Sequence, residues 1–187
     1  MEPTQLLEIL QVAARLKTTP RHCETAPGRA ESVADHSWRI ALMAMLLTPQ
    51  FPEADMNKVI RMCLIHDLGE AFTGDIPSFE KTAEQERDEE ALLRQWVESL
   101  PQPQRREMTR LYDEMERRET LEAKIYKAID GLEAVIQHNR SDLSTWIPRE
   151  YELNKTYADD KVAFSEYLKG LREEIRRDTL GKIDRKE

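Results

Sequence analysis

The sequence predicts an all-α fold, and three of its features carry that prediction. Charged residues make up 34% of the 187 residues, and long stretches alternate acid and base around apolar positions at helical spacing. Glycines number only six, and no run shows the alternation of apolar and polar residues that is typical of a half-buried strand. A chain of this length suffices for one domain with a sizeable core, so residues 1–187 are expected to form a single domain.

Charge and hydropathy argue against several classes of protein. Asp and Glu number 36 against 28 Lys and Arg, so the formal net charge is −8. Non-specific binding to a nucleic acid polymer depends on a surplus of basic residues, which this chain lacks. No apolar run approaches the roughly 20 residues of a membrane span, and the N-terminus carries acid where a secretory signal carries base. Cys23 and Cys63 form no recognisable framework, so reduced thiols in a cytoplasm are expected.

The N-terminal part is predicted to be a helix followed by a loop. Apolar residues at helical spacing indicate an amphipathic helix over 4–17. Pro20 and the Pro27-Gly28 pair then indicate that the following segment is an ordered loop.

Two further helices are expected to start at capping residues. Ser32 and Asp35 form a Ser-x-x-Asp pattern that resembles a capping box, which predicts a helix from Ser32 to about Thr48. Asp55 can cap a third helix with a buried apolar stripe, which is expected to end near Gly69.

The second half of the chain is also predicted to be mostly helical. The segment 143–157 is expected to be irregular or short-helical, and the tail 176–187 is expected to be frayed. The predicted longer helices span about 80–99, 103–118, 119–140 and 158–178.

Four potential metal ligands stand on three of these helices. His36 lies one turn into the second helix, and His66 and Asp67 are adjacent near the end of the third. Asp130 follows the buried position Ile129 on the helix over 119–140. Two imidazoles and two carboxylates form a mixed nitrogen and oxygen set that suits Mn, Fe, Co, Ni or Zn.

Each of these residues has an ordinary structural interpretation when it is taken alone. A single histidine on an apolar helix is more often a core residue than a ligand, and an isolated Asp at a helix end is usually a cap. Asp130 is different, because a carboxylate beside a buried stripe needs a cation or hydrogen-bond donors to offset its desolvation. The combination therefore favours a metal site.

Three motifs make the chain resemble the HD-domain metal-dependent phosphohydrolases, and within them the five-prime-deoxynucleotidase group. The motifs are RAESVADHSWRIALMAM, LIHDLGEAFTGDIP and YKAIDGLEAVIQH. The resemblance covers roughly residues 10–140, and residues 141–187 are then a C-terminal helical extension. It implies a single HD-domain helical bundle, the hydrolysis of a phosphate monoester, and one divalent transition metal held by the four ligands named above.

The same resemblance singles out three more residues. Glu70, four residues after His66, faces the same side of the helix, and Asp75 follows the flexible Gly74; both are implied to be catalytic carboxylates. Arg21 matches the arginine that the deoxynucleotidases use on the phosphate, and a guanidinium binds phosphate bidentately. A helix-end acid, a turn aspartate and a surface arginine are the alternative interpretations, and which carboxylate is acid and which is base stays open.

The sequence departs from these relatives at one position. The bacterial deoxynucleotidases carry a tryptophan beside the phosphate-binding arginine, where this chain has His22. Ribonucleotides are therefore expected to be rejected less strictly. His138 is expected to be structural, and Trp38, Trp96 and Trp146 are expected to serve packing.

The expected substrate is a nucleoside five-prime-monophosphate. Two alternatives remain open: another phosphate ester, such as a cyclic or pyrophosphorylated nucleotide, and a regulatory module that binds a nucleotide without turnover. The resemblance also implies a homodimer.

Overall fold

The computed structural model describes residues 1–77 and 79–185, in which most of the regular structure is helical. Short 3₁₀ helices occur at Thr48–Gln50 and Leu143–Thr145. The α-helices are α1 (Pro3–Arg15), α2 (Val33–Leu46), α3 (Met56–Ile65), α4 (Glu70–Thr73), α5 (Ala83–Ser99), α6 (Gln104–Arg117), α7 (Leu121–Arg140), α8 (Pro148–Thr156) and α9 (Glu166–Asp184). The prediction of an all-α fold is confirmed.

A β-hairpin stands where the sequence predicted a loop. Strand β1 (Pro20–Ala26) pairs antiparallel with β2 (Arg29–Ser32), and Gly28 adopts a φ of +75° in the turn between them. Register shifts interrupt the pairing, and most of the hairpin's side chains are exposed or only partly buried. No alternation of apolar and polar residues therefore marks these strands in the sequence, and the prediction of a loop over this segment was wrong.

The predicted caps of α2 and α3 are confirmed. The Ser32 side chain accepts a hydrogen bond from the backbone N–H of Asp35, and the Asp35 carboxylate accepts one from the backbone N–H of Ser32. At the start of α3, the Asp55 carboxylate accepts from the backbone N–H of Lys58. These contacts fix where the two helices begin, and so fix the positions of the histidines that follow.

The core lies where α2, α3 and α7 pack together. Each of these helices presents a side on which the apolar residues are fully buried: Ile40 and Ala44, Val59 and Met62, and Ile125, Ile129 and Leu132. Of the three tryptophans that were expected to pack, Trp146 is buried and Trp96 packs against the core. Trp38 is 63% exposed on α2, so that expectation was wrong for it.

The C-terminal helix differs from its prediction at both ends. It begins at Glu166 instead of 158, because the Ser165 side chain caps it by accepting from the backbone N–H of Leu168. It also continues to Asp184 instead of fraying after 175. Thr179 is fully buried there, and its hydroxyl donates to Asn139 Oδ1 on α7 at 3.0 Å, which holds this part of the helix against the core.

Helix α7 and the segment after α8 approach each other closely at Gly131. A β-carbon at this position would lie 2.9 Å from the Ala158 β-carbon and 3.1 Å from Lys161 Cδ. Only a residue without a side chain allows this approach, one position after Asp130.

In the part of the chain that the structure describes, no helix has both the length and the apolar character that crossing a membrane requires.

Candidate metal centre and substrate cavity

The four predicted ligands come together between α2, α7 and the turn that follows α3. Asp67 Oδ2 lies 2.9 Å from His66 Nε2 and 3.9 Å from His36 Nε2. Asp130 Oδ1 lies 3.2 Å from His36 Nε2 and 3.7 Å from His66 Nε2. Helix α3 ends at Ile65, so His66 and Asp67 stand just beyond it instead of within it as predicted. His36 Nε2, His66 Nε2 and an Asp67 oxygen therefore lie within 4.8 Å of one another, and Asp130 Oδ1 stands next to both imidazoles.

Both imidazoles are held through their Nδ1 atoms. His36 Nδ1 donates to the Glu133 carboxylate, and His66 Nδ1 donates to the backbone carbonyl of Cys63 at 2.9 Å. Because a carboxylate and a carbonyl oxygen only accept, the proton of each neutral ring sits on Nδ1 and the lone pair sits on Nε2. Metal-ligating histidines are oriented in this way in proteins.

The environment of His66 Nε2 fits a bound cation. This atom is buried and has no hydrogen-bond partner, although Asp67 Oδ2 is only 2.9 Å away. A lone pair and a carboxylate oxygen at this separation repel each other unless a positive charge lies beside them. With His36 Nε2, these atoms lie within 4.8 Å of one another, which is the grouping that one metal ion requires.

The two carboxylates of the set are ionised at neutral pH. Burial raises the pKa of Asp130, but the ammonium of Lys127, 2.8 Å from Oδ2, and the two histidines lower it well below its ordinary value. Burial also raises the pKa of Asp67, but the interactions with His66, His36 and Arg21 outweigh the effect of burial, so the pKa of Asp67 is lowered overall. Both are therefore in the form that binds a metal.

His36 carries a proton that a metal must displace. Burial and the charge of Arg21 lower its pKa, but the hydrogen bonds to Asp130 and Glu133 outweigh them and raise it to about 9. Metal binding by this residue is therefore linked to proton release.

Sequence reasoning missed Glu133. It is fully buried on α7, where its carboxylate accepts from His36 and lies 2.6 Å from Arg39 Nε. A signal was present, because Glu133 lies three residues after Asp130 and four after Ile129, on the face of the helix that the periodicity marks as buried.

Glu31 was missed as well, and it holds Arg21. Its buried carboxylate accepts a hydrogen bond from Arg21 Nε at 3.0 Å, while Arg21 Nη1 lies 3.6 Å from Asp67 Oδ2. Burial lowers the pKa of Arg21, but Asp67, Asp75 and Glu31 outweigh that effect and raise it. The structure thus places a permanently charged guanidinium beside Asp67, one of the four predicted ligands. No local pattern in the sequence marks Glu31 for this position.

Glu70 and Asp75 lie on the wall of the same cavity. Glu70, the first residue of α4, is buried, and its Oε2 has no hydrogen-bond partner. Burial, reinforced by the charges of Asp67 and Asp75, raises the pKa of Glu70 to about 11. Asp75 follows Gly74, whose φ is +80°, and burial raises its pKa against the opposing charge of Arg21.

The cavity has a volume of about 250 Å³ and two chemically different ends. The charged end is lined by Arg21, Asp67, Glu70, Asp75, Lys127 and Asp130. Residues away from the ligands also line the cavity, among them His22, Phe79, His138, Glu150, Leu153 and Asn154, and both histidines lie beside Glu150.

Comparison with known proteins places this geometry in a family. The model of the HD domain matches residues 13–172. A human protein named 5'-deoxynucleotidase HDDC2 is 33% identical over 136 residues, which are 71% of this chain and 66% of that protein. The chain thus spans about two thirds of the length of that relative.

Two solved structures are similar over almost the whole chain. A predicted metal-dependent phosphohydrolase from Magnetospirillum magnetotacticum has a TM-score of 0.69 and 28% identity, and the match covers 93% of this chain and 94% of that one. A conserved hypothetical protein from Pyrococcus furiosus has a TM-score of 0.71 and 30% identity, covering 91% and 99%.

Proposed function

Because the chain belongs to the HD domain family, we propose that it is a metal-dependent phosphohydrolase that releases phosphate from nucleoside five-prime-monophosphates. One observation carries this proposal: His66 Nε2 is buried and without a partner, and it lies beside His36 Nε2, Asp67 and Asp130, of which the two carboxylates line a cavity. The names of the relatives support the choice of a nucleotide as substrate.

The proposed metal ligands are His36, His66, Asp67 and Asp130. When bound, a divalent cation supplies Lewis acidity, which lowers the pKa of water from 15.7 to about 7. The ligand set of two nitrogens and two oxygens supports Mn, Fe, Co, Ni or Zn as the metal.

The remaining groups of the charged end bind the phosphate and handle protons. Arg21, oriented by Glu31, is proposed to donate two hydrogen bonds to the phosphate and to offset its charge in the transition state. Glu70 keeps its proton at neutral pH in the metal-free protein, which supports a role as the acid that protonates the departing sugar oxygen. Asp75 is then the carboxylate available to accept a proton.

The residues 1–187 are proposed to form one domain. Support comes from the contacts that join α9 to α7: Asn139 Nδ2 donates to the backbone carbonyl of Ile175 at 3.0 Å, and the Thr179 hydroxyl donates to Asn139. The match of the family model, which runs to residue 172, includes part of this C-terminal extension.

We also propose that the protein forms a homodimer and that it is located in the cytoplasm. The exposed side chains of Trp38 and Met45, with Leu42 between them, form an apolar stripe along α2 that a second copy can cover. Cys23 and Cys63 are both free thiols, as in proteins of a reducing compartment.

A panel of substrates and metals tests the proposed reaction. Nucleoside monophosphates, cyclic nucleotides and pyrophosphorylated nucleotides are incubated with the protein and with each of several divalent metals, and the released phosphate is measured. We expect hydrolysis of five-prime-monophosphates. Exclusive hydrolysis of the other two classes would replace the proposed substrate, and tight binding without turnover would make the protein a regulatory module.

A further inference from the structure

Three buried polar atoms at the end of the cavity away from the metal centre have no hydrogen-bond partner. They are Glu150 Oε1, Asn154 Nδ2 and His138 Nδ1. Glu150 is 1% exposed and Asn154 is 3% exposed, so bulk solvent does not compensate these atoms. Buried polar groups are nearly always paired, and Glu150 Oε1 has only the partly exposed imidazole of His22 beside it, so these three atoms point to a polar ligand.

Helix α8 presents two of these groups together. Glu150 and Asn154 are four residues apart, so they share one face of the helix. The other oxygen of the Glu150 carboxylate, Oε2, accepts from the backbone N–H of Ile147 at 2.8 Å, which fixes the direction of the side chain. Oε1 is left with His22 Nε2 at 3.2 Å and His138 Nδ1 at 3.6 Å, both from residues that line the same cavity.

Aromatic and apolar side chains line the cavity together with this polar pair. Phe79 and Tyr157 line the same cavity, and Leu153 lies between Glu150 and Asn154 in sequence. Hydrogen bonds to the edge of a base, combined with contacts of aromatic and apolar side chains to its faces, are how proteins hold a nucleobase in a pocket.

The distance between the two ends of the cavity suits a nucleotide. Asp130 and His138 lie eight residues apart on α7, so they are separated by about 12 Å along the helix axis. A monophosphate whose phosphate lies beside Arg21 therefore extends its nucleoside towards α8.

We propose that Glu150 and Asn154 read the edge of a nucleobase. Glu150 Oε1 accepts a hydrogen bond from an N–H of the base, and Asn154 Nδ2 donates to the neighbouring carbonyl oxygen or ring nitrogen. This inference rests on the proposed function and narrows it: the preferred substrates are phosphates that carry a nucleobase, and sugar phosphates without one are poor substrates.

Turnover of matched substrates gives the first test. The value of kcat/KM is compared between the deoxynucleoside five-prime-monophosphates and 2-deoxyribose 5-phosphate, which has the same sugar and phosphate but no base. We expect a ratio of at least tenfold in the wild type, and a loss of most of that ratio in Asn154→Leu and in Glu150→Gln. Glu152→Gln, at a largely exposed position on the same helix, is the control and should keep the wild-type ratio.

Binding of nucleosides gives a second test that does not depend on catalysis. Thymidine and deoxyguanosine, which lack the phosphate, are titrated into the metal-loaded and the metal-free protein by calorimetry. We expect binding to the wild type and at least tenfold weaker binding to Asn154→Leu. Thermal unfolding checks that this variant folds, and its Tm should be no lower than that of the wild type, because it removes a buried unpaired donor.

Either of two results would overturn the inference. One is equal turnover of 2-deoxyribose 5-phosphate and the nucleotides by the wild type. The other is nucleoside binding that is absent in the wild type or unchanged in the folded Asn154→Leu protein. If no phosphate ester is hydrolysed at all, the proposed function fails, while the nucleoside titrations still decide whether the base site exists.

Discussion

The Glu133 carboxylate accepts the Nδ1 proton of His36 inside the fully buried interface between α2 and α7. The same carboxylate lies 2.6 Å from Arg39 Nε, so a cation and an imidazole compete for its charge. This contact sets the tautomer of His36 and turns its Nε2 towards Asp130. The geometry of the candidate metal centre therefore depends on a residue that is not itself among the four ligands.

The first prediction follows from that contact. Glu133→Gln keeps an acceptor for His36 but removes the negative charge, so the affinity for the metal should fall by about 10- to 100-fold, as is typical when such a supporting carboxylate is lost. Competition with a coloured chelator measures the affinity. Glu119→Gln, at an exposed position, should leave it unchanged. An unaltered affinity in Glu133→Gln would mean that His36 needs no such support.

Replacement of Asp67 should abolish metal retention and phosphatase activity together. Asp67→Ala removes a carboxylate that lies 2.9 Å from His66 Nε2, and the ligands left behind come from separate parts of the chain that the metal would join. Elemental analysis and phosphate release are measured on the same preparation. Asp178→Ala, on the exposed side of α9, serves as the control. A full metal complement with normal turnover would remove Asp67 from the site.

Glu70 should be needed for catalysis but not for metal binding. Its carboxyl group is buried at the cavity wall and is proposed to move a proton, so Glu70→Ala should lose on the order of 10²–10⁴ in kcat, the usual contribution of a general acid or base. Elemental analysis should find most of the metal still present. Loss of the metal along with activity would instead identify Glu70 as a ligand.

The same residue should make the metal-free protein less stable as pH rises. Glu70 keeps its proton up to about pH 11 in the folded protein, whereas its ordinary pKa is 4.5. Its contribution to stability is therefore fully present below pH 4.5 and is lost progressively as pH rises towards 11. The side chain that Glu70→Gln introduces cannot ionise. The free energy of unfolding of this variant should therefore increase relative to that of the wild type between pH 5 and 8.

Denaturant unfolding of both proteins after metal removal measures that difference. The gap should widen by on the order of 1 kcal/mol per pH unit, the linkage expected for one proton. The free energy of unfolding of the control, Glu152→Gln, should change with pH in the same way as that of the wild type. Parallel curves for Glu70→Gln would show that the carboxyl group ionises normally in the folded protein.

Arg21→Ala should weaken transition-state stabilisation by a few kcal/mol, because it removes a charge-assisted bidentate contact with the phosphate. The value of kcat/KM is measured for matched deoxyribo- and ribonucleoside monophosphates, with Arg29→Ala on the same hairpin as the control. An unchanged value in Arg21→Ala would exclude this residue from the site.

His22 follows Arg21 in place of a tryptophan, so the wild type should reject ribonucleotides only weakly. A strong preference for deoxyribose would show that another residue reads the sugar.

Local patterns were enough to predict that the fold is helical and to nominate the residues of the candidate metal centre. The capping residues Ser32 and Asp55 act within one turn of chain, so their effect can be read from neighbouring residues. The ligands were found because each stands beside an apolar stripe or within a recognisable motif.

The hairpin and Glu31 could not be predicted in the same way. Strand pairing joins Pro20 to Ser32 across the turn, and the irregular register leaves no period to detect. Glu31 acquires its role only when the folded hairpin brings Arg21 Nε to within 3.0 Å of it. The start of α9 was also misplaced. Ala158, at the predicted start, adopts a φ of +69°, which is not helical, and the helix begins only after the capping residue Ser165.

The contact at Gly131 limits how this protein can be recombined with its relatives. The Ala158 side chain occupies the space that a side chain at 131 would need, so the contact between these two positions determines how closely the C-terminal extension packs against α7. A chimera that takes residues 141–187 from another member of the family must bring a small residue to position 158, or the new segment will stand away from α7. Helix α8 would then lie at a different distance from Asp130. An exchange of this segment that is intended to change substrate preference would therefore change the depth of the whole cavity.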